Sequence, residues 1–163
     1  MRRTAYCGML LAFALILGYV ESLIPLPFGL PGMKLGLPNL AVVLVLYLFG
    51  EKEALFINLG RVLLAGFLFG NLSSLLYSLS GALLSFLVMA VCRRQGGLSI
   101  AGVSCAGGLA HNMAQVTAAV LVTETMQVFY YVPPLLVCGA LTGLVLGILA
   151  GTVLRHLPPS SLR

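Results

Sequence analysis

Apolar runs that repeatedly reach bilayer-spanning length leave this chain one general way to fold. Six can be read, at about residues 5–24, 37–49, 53–70, 72–91, 100–122 and 134–154. In hydrocarbon every backbone N–H and C=O must be satisfied within the protein, so each run is expected to be a helix. The expectation is an all-α, polytopic membrane protein, a single integral membrane domain over residues 1–163. Charged side chains make up only 8% of the chain and the mean hydropathy is +1.09, which excludes an ordinary soluble domain. The net charge of +5 is not a nucleic-acid footprint, because the basic residues cluster at the ends of apolar runs.

That clustering predicts an orientation. With the N-terminus inside, the inner segments hold Arg2, Arg3, Lys52, Arg93, Arg94, Arg155 and Arg163, and the outer loops hold Lys34 alone. Both termini are then expected on the cytoplasmic side of a bacterial plasma membrane. A cleaved signal peptide ending near Ala12-Phe13-Ala14 is the competing reading of the N-terminus. Cleavage there would leave an unusually short apolar region and destroy the six-span topology.

The segment Gly32-Met33-Lys34-Leu35-Gly36-Leu37-Pro38-Asn39 is the one charged insertion broken by glycine and proline. The run after it, 37–49, covers roughly 20 Å of a core about 30 Å thick, so the loop before it is expected to dip inward. Irregular backbone at depth lines a cavity, where protein or water satisfies it. Pro38 suits a first helical turn, and the prolines at 25, 27 and 31 keep the preceding loop extended.

Polar residues at depth mark the same region. Arg61 falls at the middle of its run, where a charge costs at least about 2.5 to 3.5 kcal/mol and must face something other than lipid. Asn58 lies three residues before it on the same face. His111 sits at a similar depth in its own run, with Asn112 beside it and Gln115 one turn on. A polar centre of Arg61, Asn58, His111, Asn112 and Gln115 beneath the Lys34 loop would suit an anionic or polar ligand. Bland readings stand beside this one: a structural ion pair of Arg61 with Glu21, helix-to-helix hydrogen bonds from His111 and Asn112, and Lys34 as an interfacial residue.

Other features exclude chemistry. The four acidic residues, at 21, 51, 53 and 124, are all glutamates, and no phosphate-binding loop of the Walker type is present. The chain therefore has neither that ATPase machinery nor paired aspartates for a magnesium diphosphate site. His111 and His156 are too few for zinc, and Cys7, Cys92, Cys105 and Cys138 form no Cys-x-x-Cys pair. No catalytic residue, metal ligand or cofactor is assigned. Gly139, Gly143, Gly147 and Gly151 recur every four residues on one helix face, for close packing either within the bundle or against another subunit.

The motifs from Gly32 to Asn39, Arg61 with the Leu-Leu-x-Gly that follows it, Ser78-Leu79-Ser80-Gly81 to Ser85 with Met89, and Gly108-x-x-His111-Asn112-x-x-Gln115 resemble the heptaprenyl diphosphate synthase component I or Gx transporter family. That family is similar to the substrate-binding S components of energy-coupling factor transporters. The resemblance implies capture of a small molecule from outside, with a transmembrane coupling protein and two ATPases as partners. It implies a site toward the outer face that uses the first loop, in agreement with Lys34, and docking of the coupling protein through small residues on the first span, here Gly8 and Ala12. The ligand contacts expected from the whole reading are Lys34, Asn39, Asn58, Arg61, His111, Asn112 and Gln115. An isoprenoid, or a quinone or vitamin precursor, is a candidate ligand. The alternative it leaves open is a non-catalytic membrane anchor for a polyprenyl diphosphate synthase or for a flavin- and quinone-based extracellular electron-transfer system.

Overall fold

Glycine, proline and capping residues divide the described residues into six α-helices. The computed structural model describes residues 2–23 and 36–157. Its helices are α1 (Arg2–Ser22), α2 (Asn39–Leu48), α3 (Glu51–Phe69), α4 (Leu72–Gln95), α5 (Ile100–Thr123) and α6 (Val132–His156). A 3-10 turn, Met126–Tyr131, precedes α6, whose first turn accommodates Pro133 and Pro134. Lys34 lies outside the described residues.

The connections are short where the sequence has its breakers. Phe49 and Gly50 alone join α2 to α3, and Gly50 turns the chain at φ 110°, a conformation that a Cβ would disfavour. Gly70 and Asn71 alone join α3 to α4, which makes the two helices antiparallel neighbours. Asn71 caps α4 by accepting the Ser74 N–H at 2.8 Å, and Ser99 caps α5 by accepting from Gly102 at 3.2 Å. Asn71→Ala should therefore lower stability by about 1 kcal/mol, read as the unfolding midpoint of the purified protein, whereas an unchanged midpoint would mean that water replaces the cap.

Among the described residues, four segments are long and apolar enough to cross a membrane: Arg3–Ser22, Leu72–Gln95, Ile100–Thr123 and Met126–His156. The other two helices differ for physical reasons. In α3, nineteen residues include Glu51, Lys52, Glu53 and Arg61. In α2, ten residues extend only about 15 Å, half of a bilayer core. It is apolar all round and buried from Ala41 to Leu46, the mark of a helix enclosed by protein. Its neighbours are α1, α3 and α6, and its valines and leucines form the main core with Ala54, Ile57, Phe86, Met89 and Val103.

Helix α5 packs between α4 and α6. The glycines of α6 face it: a Cβ on Gly143 would stand 2.6 Å from the Ser104 carbonyl oxygen, and one on Gly147 2.6 Å from the Ala101 Cα. Gly139, Gly143 and Gly147 thus serve packing within the bundle, while Gly151 has no close neighbour. One end of the bundle gathers basic groups. Arg94 grips Glu51 with two hydrogen bonds, one of 2.7 Å from Nε to Oε1, and the Arg93 guanidinium lies 5.2 Å over the Tyr47 ring.

Candidate functional site

Away from that basic end, the C-terminal part of α1, the start of α2 and the middles of α3, α4 and α5 enclose a polar cavity. Its polar lining is Glu21, Arg61, Ser78 and His111, with Gly36 and Pro38 where the chain enters α2. Small side chains, Ala14, Gly18 and Ala65, complete the wall. The space left for the centre of a water-sized sphere is about 20 Å³, enough for roughly one water. This is a closed site.

Arg61 is its centre. Only 7% of the residue is exposed, although it is the one charged side chain of α3 beyond the helix's first turn. Asn58 holds it one turn away: Nε donates to Asn58 Oδ1 at 3.1 Å, and Asn58 Nδ2 donates in turn to the Ala82 carbonyl of α4 at 2.8 Å. The guanidinium is thus aligned by a fixed acceptor. Its Nη2 has no hydrogen-bond partner among the described residues, and neither has the buried Ser78 Oγ. A planar guanidinium with an open donor is suited to a carboxylate, phosphate or carbonyl oxygen.

Glu21 supplies the opposite charge. It is 4% exposed and is the anionic group whose field Arg61 feels. Its Oε1 also accepts the Gly36 N–H at 2.5 Å and lies 3.4 Å from the Leu37 nitrogen. The carboxylate therefore ties the end of α1 to the entry of α2, where Gly36 adopts φ 91°.

The polar residues expected at one centre are distributed over several places. Arg61 and His111 line the cavity, with Asn58 directly behind Arg61. Gln115 is buried one turn along α5 from His111, and both lie against Gly81 of α4, where an added Cβ would come within 2.9 Å of each. Asn112 points elsewhere: its Nδ2 donates to the Leu135 carbonyl of α6 at 2.5 Å. Consecutive residues lie about 100° apart around a helix, so His111 and Asn112 face different neighbours. Asn39, at the start of α2, donates to Ser85 Oγ at 3.1 Å. Gly8 and Ala12 are exposed on α1, and nothing lies near the Cβ position of Gly8.

Sequence reasoning gave Glu21 only the part of a structural alternative and did not single out Ser78 as a site residue. The signal for Ser78 was present: Ser74, Ser78, Gly81 and Ser85 form one small, polar stripe of α4, and all four are buried. Neither the curated proteins nor the solved structures offer a match to the chain. The family model described as heptaprenyl diphosphate synthase component I does match, over residues 10–153, and a match reaching from α1 into α6 makes this helical membrane protein a member of that family.

Proposed function

We propose that the protein is the substrate-binding membrane subunit of an uptake system, similar to the S components of energy-coupling factor transporters, for a small molecule with a polar or anionic head. The observation that carries this reading is the buried Arg61, fixed by Asn58, with an open donor in a polar cavity shared with His111 and Ser78. A charge at such depth is costly and marks a functional site by default. Lys34, two residues before Gly36 in the chain, would add positive charge on the same side. Asn39, Asn112 and Gln115 would hold the helices that frame the cavity and supply hydrogen bonds to a larger ligand once it opens.

With no nucleotide-binding loop in its sequence, such a subunit would draw energy from a separate coupling protein and ATPases. Gly8 and Ala12, exposed on α1, offer a face where another helix could approach closely. The charge distribution supports a multi-pass plasma-membrane protein with both termini in the cytoplasm. An isoprenoid, or a quinone or vitamin precursor, is the proposed ligand class, and its entry requires this cavity, which has room for roughly one water, to open.

The family description favours a second reading, a non-catalytic membrane partner of a polyprenyl diphosphate synthase; the resemblance given above adds a flavin- and quinone-based electron-transfer system as the other partner of that kind. The basic end around Arg93 and Arg94 would then be the working surface. Purification of the tagged protein from its native membrane in mild detergent, followed by mass spectrometry, separates the two. Recovery of a coupling protein with two ATPases is expected. Recovery of a prenyl synthase or flavoprotein without ATPases would overturn the transport reading.

A further inference from the structure

The cavity's own charges narrow its ligand, on the reading that this cavity is the binding site. Among the described residues that line it, the charged pair is Arg61 and Glu21, and His111 is the one other titratable group. The pair brings one positive and one negative charge, so an entering anion meets no net positive surplus from it, and Lys34, expected on the same side, would add a single positive charge. The backbone donors at the entry of α2 would otherwise form a natural anion cradle. They are already engaged, since Glu21 Oε1 accepts the Gly36 N–H at 2.5 Å and lies 3.4 Å from the Leu37 nitrogen. The protein's own carboxylate thus occupies the place where a phosphate would be cradled. What remains is the outer edge of the Arg61 guanidinium, whose Nε alone is engaged by Asn58, with Ser78 Oγ and His111 lining the same space and room for roughly one water.

From this geometry we infer that the site accepts a head group of at most one negative charge, a monocarboxylate or a carbonyl, and discriminates against a diphosphate. A diphosphate spreads several negative charges over two phosphorus centres and needs multiple cations or a bound metal to enter a low-dielectric site. Here it would be placed beside a fixed carboxylate, with the Arg61 guanidinium the one permanent cation among the described lining residues. A monocarboxylate or carbonyl oxygen, by contrast, needs only that guanidinium and replaces about one water. The inference runs against the substrate that the family description would suggest, because it separates the isoprenoid tail from the diphosphate head.

The test holds the tail constant and varies the head. Geranic acid, geraniol and geranyl diphosphate are titrated into the purified full-length protein in mild detergent, with thermal stabilisation and calorimetry as readouts. Geranic acid is expected to bind at a concentration at least about tenfold below that needed for geranyl diphosphate, since the diphosphate brings more negative charge beside Glu21 than the carboxylate does. Removing the carboxylate charge with Glu21→Gln should narrow that ratio. The Glu21→Gln/Arg61→Gln double variant, which leaves no buried charge in the pair, should bind none of the three above background. If the wild type prefers the diphosphate in a manner lost in the double variant, the head-group inference is overturned and the cavity remains the binding site. Should no probe bind, or all bind equally well to the double variant, the binding reading and the inference fail together. The wild-type ratio decides even if Glu21→Gln alone does not accumulate.

Discussion

Glu21→Gln is expected to destabilise the bundle by about 2.5–3.5 kcal/mol, the cost of holding the Arg61 cation at depth without the opposite charge whose field it feels. The substitution is chosen to isolate charge. A glutamine oxygen can still accept the Gly36 N–H that Glu21 Oε1 receives at 2.5 Å, so the link between α1 and α2 has a replacement. What it cannot replace is the negative charge near Arg61, a residue 7% exposed in the middle of the bundle. A lone cation at that depth costs at least about 2.5–3.5 kcal/mol. The Glu21→Gln/Arg61→Gln double variant should recover most of the loss, because a buried pair exchanged for neutral groups is often close to neutral in stability. Unfolding of all four proteins in the same detergent gives the coupling energy directly. A Glu21→Gln midpoint equal to wild type, or a double variant as unstable as the sum of the singles, would show that the two residues act separately.

The helical architecture was legible because membrane physics is strict about it. Spanning length, glycine and proline breaks and the Gly70-Asn71 turn placed all six helices within a few residues of their observed ends. The short run at 37–49 is α2, and its apolar sequence on every side is what a helix enclosed by protein requires. Depth, too, could be read: Arg61 and His111, each near the middle of its run, line one cavity. Direction around the helix was harder. Grouping Asn112 with His111 treated neighbours in sequence as neighbours in space, although a 100° step sends one side chain to α6 and the other to the cavity. Asn39 shows a different limit. Its partner Ser85 is 46 residues away, and only the packing of α2 against the bundle brings them together. Glu21 was the most difficult to place, since its role depends on where the chain returns after α1, a tertiary fact that no local spacing encodes.

The same argument about close approach makes Gly108→Ala the most damaging single methyl that α5 could receive. A Cβ there would stand 2.2 Å from the Gly139 carbonyl oxygen and 3.4 Å from the Gly143 Cα. Both obstacles are backbone, so no rotamer change can make room and the two helices must separate. Gly139 is caught reciprocally, with the Gly108 carbonyl oxygen 2.8 Å and Asn112 Nδ2 2.6 Å from its own Cβ position. Displacing α6 would also stretch the Asn112 to Leu135 hydrogen bond, which ties α5 to the first turn of α6. Overpacking commonly costs about 1–3 kcal/mol, and a backbone-to-backbone clash belongs at or above the top of that range. In a membrane the loss is not softened by other hydrophobic contacts, because lipid competes for the same apolar surface and close packing is what holds helices together. Gly151→Ala is the matched control: its Cβ would meet only Ile100 Cδ1 at 3.9 Å, an ordinary contact, and alanine in a helix gains about 0.5–1 kcal/mol over glycine. Thermal unfolding in one detergent should therefore show Gly108→Ala well below wild type and Gly151→Ala at or slightly above it. Equal midpoints for the two variants would mean that α5 and α6 are not packed backbone to backbone, and that the glycines of α6 face something other than this chain.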